Sequence, residues 1–276
     1  MSFNNTKGNI ERIGKIGAES TLSTGLIKTG IRSLDQKLGM EMSARHGIPS
    51  GSVIVVSYPA SSVIPLLFVQ RILLNWAQKT DLNRVFYVHS SKPFELVKQS
   101  YTAYNWDIMS VKDKSFFFEN MYDMASSTTT SLKIGRIEVK RRTYVKRIIE
   151  KIMHVKETQK KNCFSVFDDL LWLKEDQLDD DHNTLISFMK EIIQMFSKIG
   201  GVHFFLLPQN ILNPVAEQII LNYAQGIFYF TRDRIGSRLR DTFSISKLMG
   251  VAYISEILDV SPSEEEGFKI ESTSKI

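Results

Sequence analysis

The stretch that follows the apolar run at residues 53–56 stands where phosphate-binding proteins carry a glycine-rich loop. The apolar run predicts a buried strand, and the apolar segment from Pro65 to about residue 78 predicts a helix. Between such a strand and helix, the pattern G-x-x-x-x-G-K-[ST] binds phosphates and Mg²⁺. In this chain the eight corresponding positions, which begin at Tyr58, read Tyr-Pro-Ala-Ser-Ser-Val-Ile-Pro. The spacing therefore predicts the place of a nucleotide site, and the residue types predict that its chemistry has been lost.

Each residue that would act on a nucleotide in this loop has been replaced. Tyr58 and Val63 stand at the two glycine positions, where a side chain would obstruct the approach of phosphates to the backbone. Ile64 stands at the lysine position, Pro65 stands where a hydroxyl would bind Mg²⁺, and Ser61 lies between the two glycine positions. Losing two charge-assisted hydrogen bonds costs roughly 3–6 kcal/mol, which is about 10²–10⁴ in affinity. We therefore expect no tight ATP binding, no cofactor and no metal ion.

A pair of aspartates at the end of another apolar run is the second candidate for chemistry. Residues 162–171 read NCFSVFDDLL, which predicts a strand that ends at Asp168 and Asp169. In open α/β proteins, ligands bind outside the carboxyl ends of such strands. An aspartate in this place can equally cap a loop through a hydrogen bond, so that both interpretations stay open.

Basic residues are concentrated in one segment of the chain. Residues 131–161 contain eleven Lys and Arg against three Glu, within a chain whose formal charge is +5. Apolar residues recur at helical spacing from Val145 to Met153, which predicts an amphipathic helix within 133–161. The candidate docking residues on its other faces are Arg141, Arg142, Lys146 and Arg147. The segment is either the solvated face of a packed helix or a docking surface for nucleic acid or an acidic protein.

Other kinds of site find little support in the sequence. The five histidines are scattered without the short spacing of a metal site, and the pattern G-x-S-x-G does not occur. The single cysteine, Cys163, excludes an internal disulfide and lies in an apolar run, as expected of a buried side chain. No apolar run approaches the ~20 residues of a membrane span, and the polar start is unlike a signal peptide. We expect a cytoplasmic protein without a membrane partner.

The elements that would position these residues alternate between strands and helices. At 276 residues, 43% hydrophobic and 24% charged, the chain suits one large α/β domain. Helices separate the strands that are predicted to start near residues 53, 85, 116, 164 and 203. This alternation predicts a mainly parallel central sheet with helices on both faces.

The end of the chain predicts an antiparallel extension of that sheet. Its three strands are expected at residues 226–231, 242–248 and 251–258. A basic connection at 232–240 would join the first two, and a hairpin turn at Met249 and Gly250 would join the last two. The predicted domain limits are a flexible arm at 1–24, the folded domain at 25–260 and a disordered tail at 261–276.

Short motifs follow one another in a definite order along the chain. They are Thr29-Gly30-Ile31, Leu34-Asp35, Leu38-Gly39, Gly47-Ile48-Pro49, Gly51-Ser52, Phe86-Tyr87-Val88, Asn105-Trp106-Asp107 and Lys247-Leu248-Met249-Gly250. The set resembles the KaiC-like branch of the RecA superfamily, whose members carry TGI-x-x-LD-x-x-LG, then G-I-P-x-G-S, a strand, the phosphate loop, hLYV, GWD and finally K-M-R-G. The resemblance covers about residues 25–257, and it implies a RecA-like α/β fold.

The resemblance also implies which residues a working ATPase would need, and several are missing. Asp168 matches the metal-side position of the Walker B strand, and Asp169 stands where relatives often carry Ser. The catalytic Glu of the family falls at about Ser91, and the arginine of K-M-R-G is Met249, so that only Lys247 remains. Together with the altered loop, these losses imply a pseudo-ATPase.

The function expected from this resemblance is that of a regulatory or scaffolding protein, for example in signal transduction. It would act through contacts with a protein partner or with further copies of itself, in an archaeal-type cytoplasm. One alternative is a nucleic-acid-binding recombinase paralogue that uses the basic residues of 133–161 or 232–240. The other is a weak nucleotide-binding ATPase with an unconventional site, in which Asp168 and Asp169 bind a metal ion.

Overall fold

The computed structural model describes most of the predicted folded domain. It covers residues 25–39, 46–89, 93–121, 141–175, 180–263 and 267–272, without the side chains of Arg141 and Glu175. Four sequence predictions lie outside the described residues in whole or in part. These concern the arm at 1–24, the catalytic position at Ser91, the start of the basic segment at 133–140, and residues 264–266 and 273–276 of the tail.

Strands and helices alternate along the chain, as the sequence predicts. The strands are β1 (Leu26–Ile27), β2 (Ile48–Pro49), β3 (Ser52–Tyr58), β4 (Asn83–His89), β5 (Phe116–Asn120), β6 (Asn162–Asp168), β7 (Val202–Pro208), β8 (Gly226–Ile235), β9 (Arg238–Leu248), β10 (Leu258–Ser263) and β11 (Gly267–Ser272). The described helices are α1 (Arg32–Lys37), α2 (Ile64–Lys79), α3 (Phe94–Ala103), α4 (Arg141–Gln159), α5 (Trp172–Glu175), α6 (His182–Ile199) and α7 (Pro214–Tyr223).

Nine of these strands form one sheet, in the order β11-β10-β9-β8-β3-β7-β6-β4-β5. The six strands from β8 to β5 run parallel, and β9, β10 and β11 extend the sheet in antiparallel fashion. The strand that precedes the altered phosphate loop, β3, lies in the middle, between β8 and β7. The predicted α/β architecture is confirmed, and β1 with β2 forms a separate small ladder.

Helices cover both faces of the sheet and bury two apolar clusters. One cluster joins α1, α2 and α3 to the sheet through side chains such as Phe68 and Trp76. The other joins α4, α6 and α7 to the opposite face through side chains such as Ile148 and Phe188. The long central strands are therefore buried on both faces, which explains their continuous apolar sequences.

The C-terminal strands correct the prediction of a disordered tail at 261–276. Residues 251–257 contain no strand, and the ladder starts again only at β10, which pairs with β9 and with β11. Phe268 and Ile270, on β11, are 0% and 4% exposed, and Phe268 packs edge-on against Phe68 of α2. The Ser- and Glu-rich composition of this segment led to the prediction of disorder. Alternate residues of β11 are apolar, but an alternation over six residues is a weak signal for a strand.

The predicted basic connection at 232–240 is also corrected, because these residues form the end of a β-hairpin. The register pairs Arg232 with Asp241 and Ile235 with Arg238, so that the turn lies at Gly236. Gly236 has a φ of +60°, which suits a tight hairpin turn. The turn at 249–250 ends β9, and residues 251–257 separate it from β10, so it is not the tight hairpin turn that was predicted.

Within the described residues, no helix is both long enough and apolar enough to cross a membrane.

Candidate functional site

The candidate site lies at the edge of the sheet where the parallel strands end. The strands β3, β7, β6 and β4 are neighbours in that order. Their register places Tyr58 beside Pro208 and places His89 beside Asp168. Because parallel strands send the loops that follow them to one edge, the structure brings the altered phosphate loop and the two aspartates to the same place.

The loop between β3 and α2 is closed by hydrogen bonds within the chain. The N–H of Ser62 donates to the carbonyl oxygen of Pro59 at 2.9 Å, which makes a tight turn. The hydroxyl of Ser62 donates to Oδ1 of Asp241 on β9 at 2.6 Å, and it accepts from the N–H of Ile64 at 3.3 Å. Polar groups that would face a phosphate in an intact loop thus bond to the protein itself.

An ion pair ties the same loop to the hairpin of β8 and β9. Arg232 donates to both carboxylate oxygens of Asp241, at 2.9 Å from Nε and 2.8 Å from Nη2. Its Nη1 donates to the carbonyl oxygen of Ser61. The two charged side chains are 18% and 10% exposed, and their bidentate geometry is the strong form of such a pair. Arg232 is therefore neutralised by Asp241 and offers no uncompensated charge to a phosphate.

The three residues at the second-glycine, lysine and hydroxyl positions serve the helix and the core. Pro65 lies in the first turn of α2, where its missing N–H has no intrahelical partner to lose. Ile64 is buried in the cluster beneath α2, so that the lysine position carries a core side chain. Val63 precedes the helix and is 61% exposed.

Tyr58, at the first glycine position, is partly buried and packs against the apolar core. Burial raises the pKa of its phenol far above the usual range, and the carboxylates of Asp168 and Asp169 raise it further. The phenol is therefore within electrostatic reach of both aspartates and stays protonated. A bulky neutral side chain stands where an intact loop would have a glycine.

Asp168 is held by side chains of the neighbouring strand β4. It is 1% exposed, and its Oδ2 accepts a hydrogen bond of 2.6 Å from the hydroxyl of Tyr87. The Nε2 atom of His89 lies 3.3 Å from the same oxygen, and Gln70 donates to Tyr87 at 3.3 Å. Burial, followed by the charge of Asp168, holds the pKa of Tyr87 well above its ordinary value, so that Tyr87 remains a donor. The metal-side carboxylate thus has protein partners.

Asp169 has the capping role that the sequence left open. It is 8% exposed, and its Oδ1 accepts from the N–H of Leu171 at 2.9 Å, which shapes the turn after β6. The peptide bond between Asp168 and Asp169 is cis. Across the described ranges, no three His, Cys, Asp or Glu side chains are grouped as a metal site would require.

Lys247, the basic residue that aligns with the lysine of K-M-R-G, forms hydrogen bonds with its own chain. Its Nζ donates to the carbonyl oxygens of Asn222 at 2.9 Å and Leu221 at 3.4 Å, at the end of α7. Burial lowers the pKa of its ammonium group. Met249, at the arginine position, is 57% exposed. The lysine therefore caps a helix, where a cation is favourable.

The basic helix α4 packs as its apolar spacing predicts, and some of its cations are paired. Lys146 forms an ion pair with Glu191 of α6, and Lys151 forms one with Glu119 of β5. The guanidinium of Arg147 lies 5.8 Å from the ring centroid of Tyr144, and Arg142 is half-buried. These contacts favour the packed, solvated helix over a docking surface, with the side chain of Arg141 outside the described residues.

Sequence reasoning missed the residues that hold the site closed. Tyr87 and His89 are two positions apart on one strand, so the sequence predicts that their side chains share a face of the sheet. Nothing in the sequence showed which strand would lie beside that strand. Arg232 and Asp241 meet only because of the hairpin register, which was not predicted. All four residues contact groups that are far away in the sequence.

Comparison with known proteins adds one structural likeness. No protein-family profile matches the chain, and no curated protein matches it either. Among solved structures, the chain is similar to the crystal structure of a KaiC-like protein from the hyperthermophilic archaeon Pyrococcus horikoshii, with a TM-score of 0.63 and 12% identity. The similarity covers 89% of this chain and 98% of that protein. At this identity the likeness shows the fold alone, and the fold of this chain is of the RecA-like, KaiC-like type.

Proposed function

We propose that this protein is a RecA/KaiC-like ATPase homologue without ATPase activity, which acts as a regulatory or scaffolding protein through protein–protein contacts. The observation that carries the proposal is the state of Asp168. Its carboxylate is 1% exposed and already accepts a short hydrogen bond from Tyr87. A metal–nucleotide complex would have to break that bond and open the site before it could use this carboxylate.

The loop supports the same conclusion through charge and shape. A triphosphate needs positive charge and free N–H groups, but the lysine position is Ile64 and Arg232 is neutralised by Asp241. Without a metal ion, the carboxylates of Asp168 and Asp169 would repel a triphosphate. Each of these effects weakens nucleotide binding at this edge of the sheet, and they act in the same direction.

Calorimetry with ATP and Mg²⁺, together with a turnover assay, tests the proposal. We expect no hydrolysis and no tight binding that depends on Asp168, and the variant Asp168→Asn serves as the control. Hydrolysis that is lost on Asp168→Asn would show that a rebuilt active site exists. That result would favour the weak ATPase alternative, with Asp168 and Asp169 on a metal ion, and would overturn the proposal.

An exposed apolar hairpin end supports the role in protein contacts. Ile235 and Leu239 are 50% and 65% exposed, on opposite sides of the turn at Gly236. Two arginines, Arg234 and Arg238, are exposed beside them. An exposed apolar patch can mark a protein-interaction site, and arginine is enriched at protein interfaces.

Affinity purification from native cells, with mass spectrometry, tests this part. We expect a defined partner to be recovered with the wild-type chain and lost with Leu239→Ser. The matched control is Leu82→Ser, which changes another exposed leucine, 55% exposed, at the opposite edge of the sheet. Equal recovery with all three proteins would contradict a contact through the hairpin.

A further inference from the structure

The second edge of the sheet, where the parallel strands begin, holds a large cavity that the candidate site does not use. Its volume is about 810 Å³, within the range of small-molecule pockets. It lies beside the first residues of β4 and β6, Asn83 and Asn162, and beside Gly201, which precedes β7. The cavity and the altered phosphate loop are therefore at opposite edges of the sheet.

Four lysines from four separate parts of the chain line this cavity. Lys28 follows β1, and the other three lie in the last turns of helices α2, α4 and α6; they are Lys79, Lys156 and Lys198. No aspartate or glutamate is among the described residues that line it. None of the four ammonium groups forms an ion pair or a hydrogen bond with another described residue, in contrast to Lys146 and Lys151 of α4.

A cation in the last turn of a helix offsets the helix dipole. This effect explains only part of the positive charge of the four lysines that line the cavity. Three helix ends contribute roughly −0.5 charge each, or about −1.5 in total. Four lysines contribute about +4, so that roughly +2.5 remains uncompensated. Lys28 lies on no helix. The cavity therefore has a net positive field that helix capping does not account for.

Two of the residues that line the cavity are aromatic, and one of them, Trp76, is held in place by hydrogen bonds. Trp76 and Phe164 stack with ring centroids 4.5 Å apart. The indole N–H of Trp76 donates to the carbonyl oxygen of Lys28 at 2.8 Å, and the amide of Asn83 donates to the carbonyl oxygen of Trp76 at 2.7 Å. These bonds fix the backbone that carries Lys28 against the end of α2. Preorganised walls of this kind reduce the ordering that a ligand would otherwise impose.

We propose that this cavity binds a compact multivalent anion of the phosphate class. Lysine ammonium groups bind phosphate oxygens as point charges, and a ligand with two or more phosphates could contact several of the four at once. The volume of the cavity suits such a molecule. The proposal is independent of the altered nucleotide site, because the two share no residue.

Isothermal titration of the full chain with inorganic tripolyphosphate at low ionic strength tests the proposal. The test variant is Lys79→Gln/Lys198→Gln, and the matched control is Lys146→Gln/Lys151→Gln, which removes the same charge from paired lysines. We expect saturable binding to the wild type. Each lost charge-assisted hydrogen bond weakens binding at least about tenfold, so the test variant should lose about 100-fold and the control less than about threefold.

Lysine footprinting of the wild-type chain gives a second readout that needs no variant. Tripolyphosphate should protect Lys28, Lys79, Lys156 and Lys198 from acylation and leave Lys146 unprotected, as read by mass spectrometry. Absence of saturable binding, equal weakening in both double variants, or protection confined to Lys146 and Lys151 would each overturn the proposal. Binding of a short oligonucleotide without binding of tripolyphosphate would also overturn it, in favour of a nucleic-acid surface.

ATP belongs to the same chemical class, so its binding must be assigned to one edge of the sheet. ATP binding that persists in Asp168→Asn and is lost in Lys79→Gln/Lys198→Gln belongs to the lysine cavity and supports this proposal. ATP binding with the opposite pattern, in a chain that does not bind tripolyphosphate, would overturn it.

Discussion

The hydroxyl of Tyr87 donates a hydrogen bond to Asp168. Tyr87 thus serves as the partner of this carboxylate in the place of a bound metal ion. A buried carboxylate needs donors, because an unpaired buried charge is costly. In this chain the Tyr87 hydroxyl of β4 is such a donor, so the aspartate can be accommodated without a ligand. The presence of a buried aspartate at this strand end is therefore no sign of activity when a neighbouring side chain already donates to it.

Removing the Tyr87 hydroxyl should destabilise the protein through Asp168. We expect Tyr87→Phe to lower the free energy of unfolding by about 1–3 kcal/mol, measured by urea denaturation, because a charged acceptor loses its donor. Tyr101→Phe is the control: that hydroxyl is also buried but donates to the backbone carbonyl of Gln70, a neutral acceptor at 3.2 Å. An equal or larger loss in Tyr101→Phe would contradict this view. In a double-mutant cycle, Tyr87→Phe should cost less once Asp168 is Asn.

His203 should make the stability depend on pH. Burial lowers the pKa of its ring from 6.5 to about 3, and the ring bonds Ser165 and the carbonyl oxygen of Gly200. Between pH 6.5 and about 3, the ring is protonated in the unfolded chain and neutral in the folded chain. The stability that this residue contributes is therefore full above pH 6.5 and declines as the pH falls toward about 3. The slope from this residue is about 1.4 kcal/mol per pH unit. Denaturation at several pH values should show a shallower slope for His203→Gln than for the wild type, and an equal slope would contradict this prediction.

At the scale of elements, the hairpin of β8 and β9 holds the altered phosphate loop in place. Asp241→Asn removes one partner of Arg232 and weakens the bond to Ser62. We expect a loss of about 1–2 kcal/mol in stability and faster amide hydrogen exchange at residues 59–63. Asp259→Asn breaks the more exposed pair with Arg240 and should leave exchange in the loop unchanged. Equal exchange in both variants would show that the hairpin does not restrain the loop.

The last strand, β11, should contribute strongly to stability. Phe268 is fully buried and packs against Phe68 of α2, so Phe268→Ala should cost about 3–5 kcal/mol in thermal or urea unfolding. Lys269 and Glu271 form an exposed pair on the same strand, and Lys269→Ala should change stability by less than about 0.5 kcal/mol. A small effect of Phe268→Ala would contradict the packing of this strand.

At the scale of the whole molecule, the sequence predicted the architecture better than the contacts. The continuous apolar run at 53–56 and the periodic apolar face of α6 are strong local signals, so the parallel core could be predicted from local patterns. The hairpin register and the last two strands depend on cross-strand pairs between short segments of mixed composition, which local patterns do not determine. The altered loop was visible in the residue types, whereas its closure by Arg232 and Asp241 was not.

The same distinction applies to charge. The sequence directed attention to α4, where cations are dense along the chain, yet some of them are neutralised there by Glu119 and Glu191. The lysines of the cavity are scattered over about 170 residues of sequence, and only the folding of three helices toward one edge brings them together. The number of cations per length of sequence therefore did not predict where unpaired cations are concentrated in the folded chain.

The packing of β11 on α2 has a consequence for how the protein is made. Phe268, which packs against Phe68, lies about 200 residues later in the sequence. The apolar face of α2 therefore stays incompletely covered until β11 has been synthesised, and apolar surface that is exposed during folding is prone to aggregate. Contacts this distant in sequence also slow folding. A chaperone that shields this face until β11 has been synthesised would be of more use to this chain than to one whose core forms between neighbouring segments.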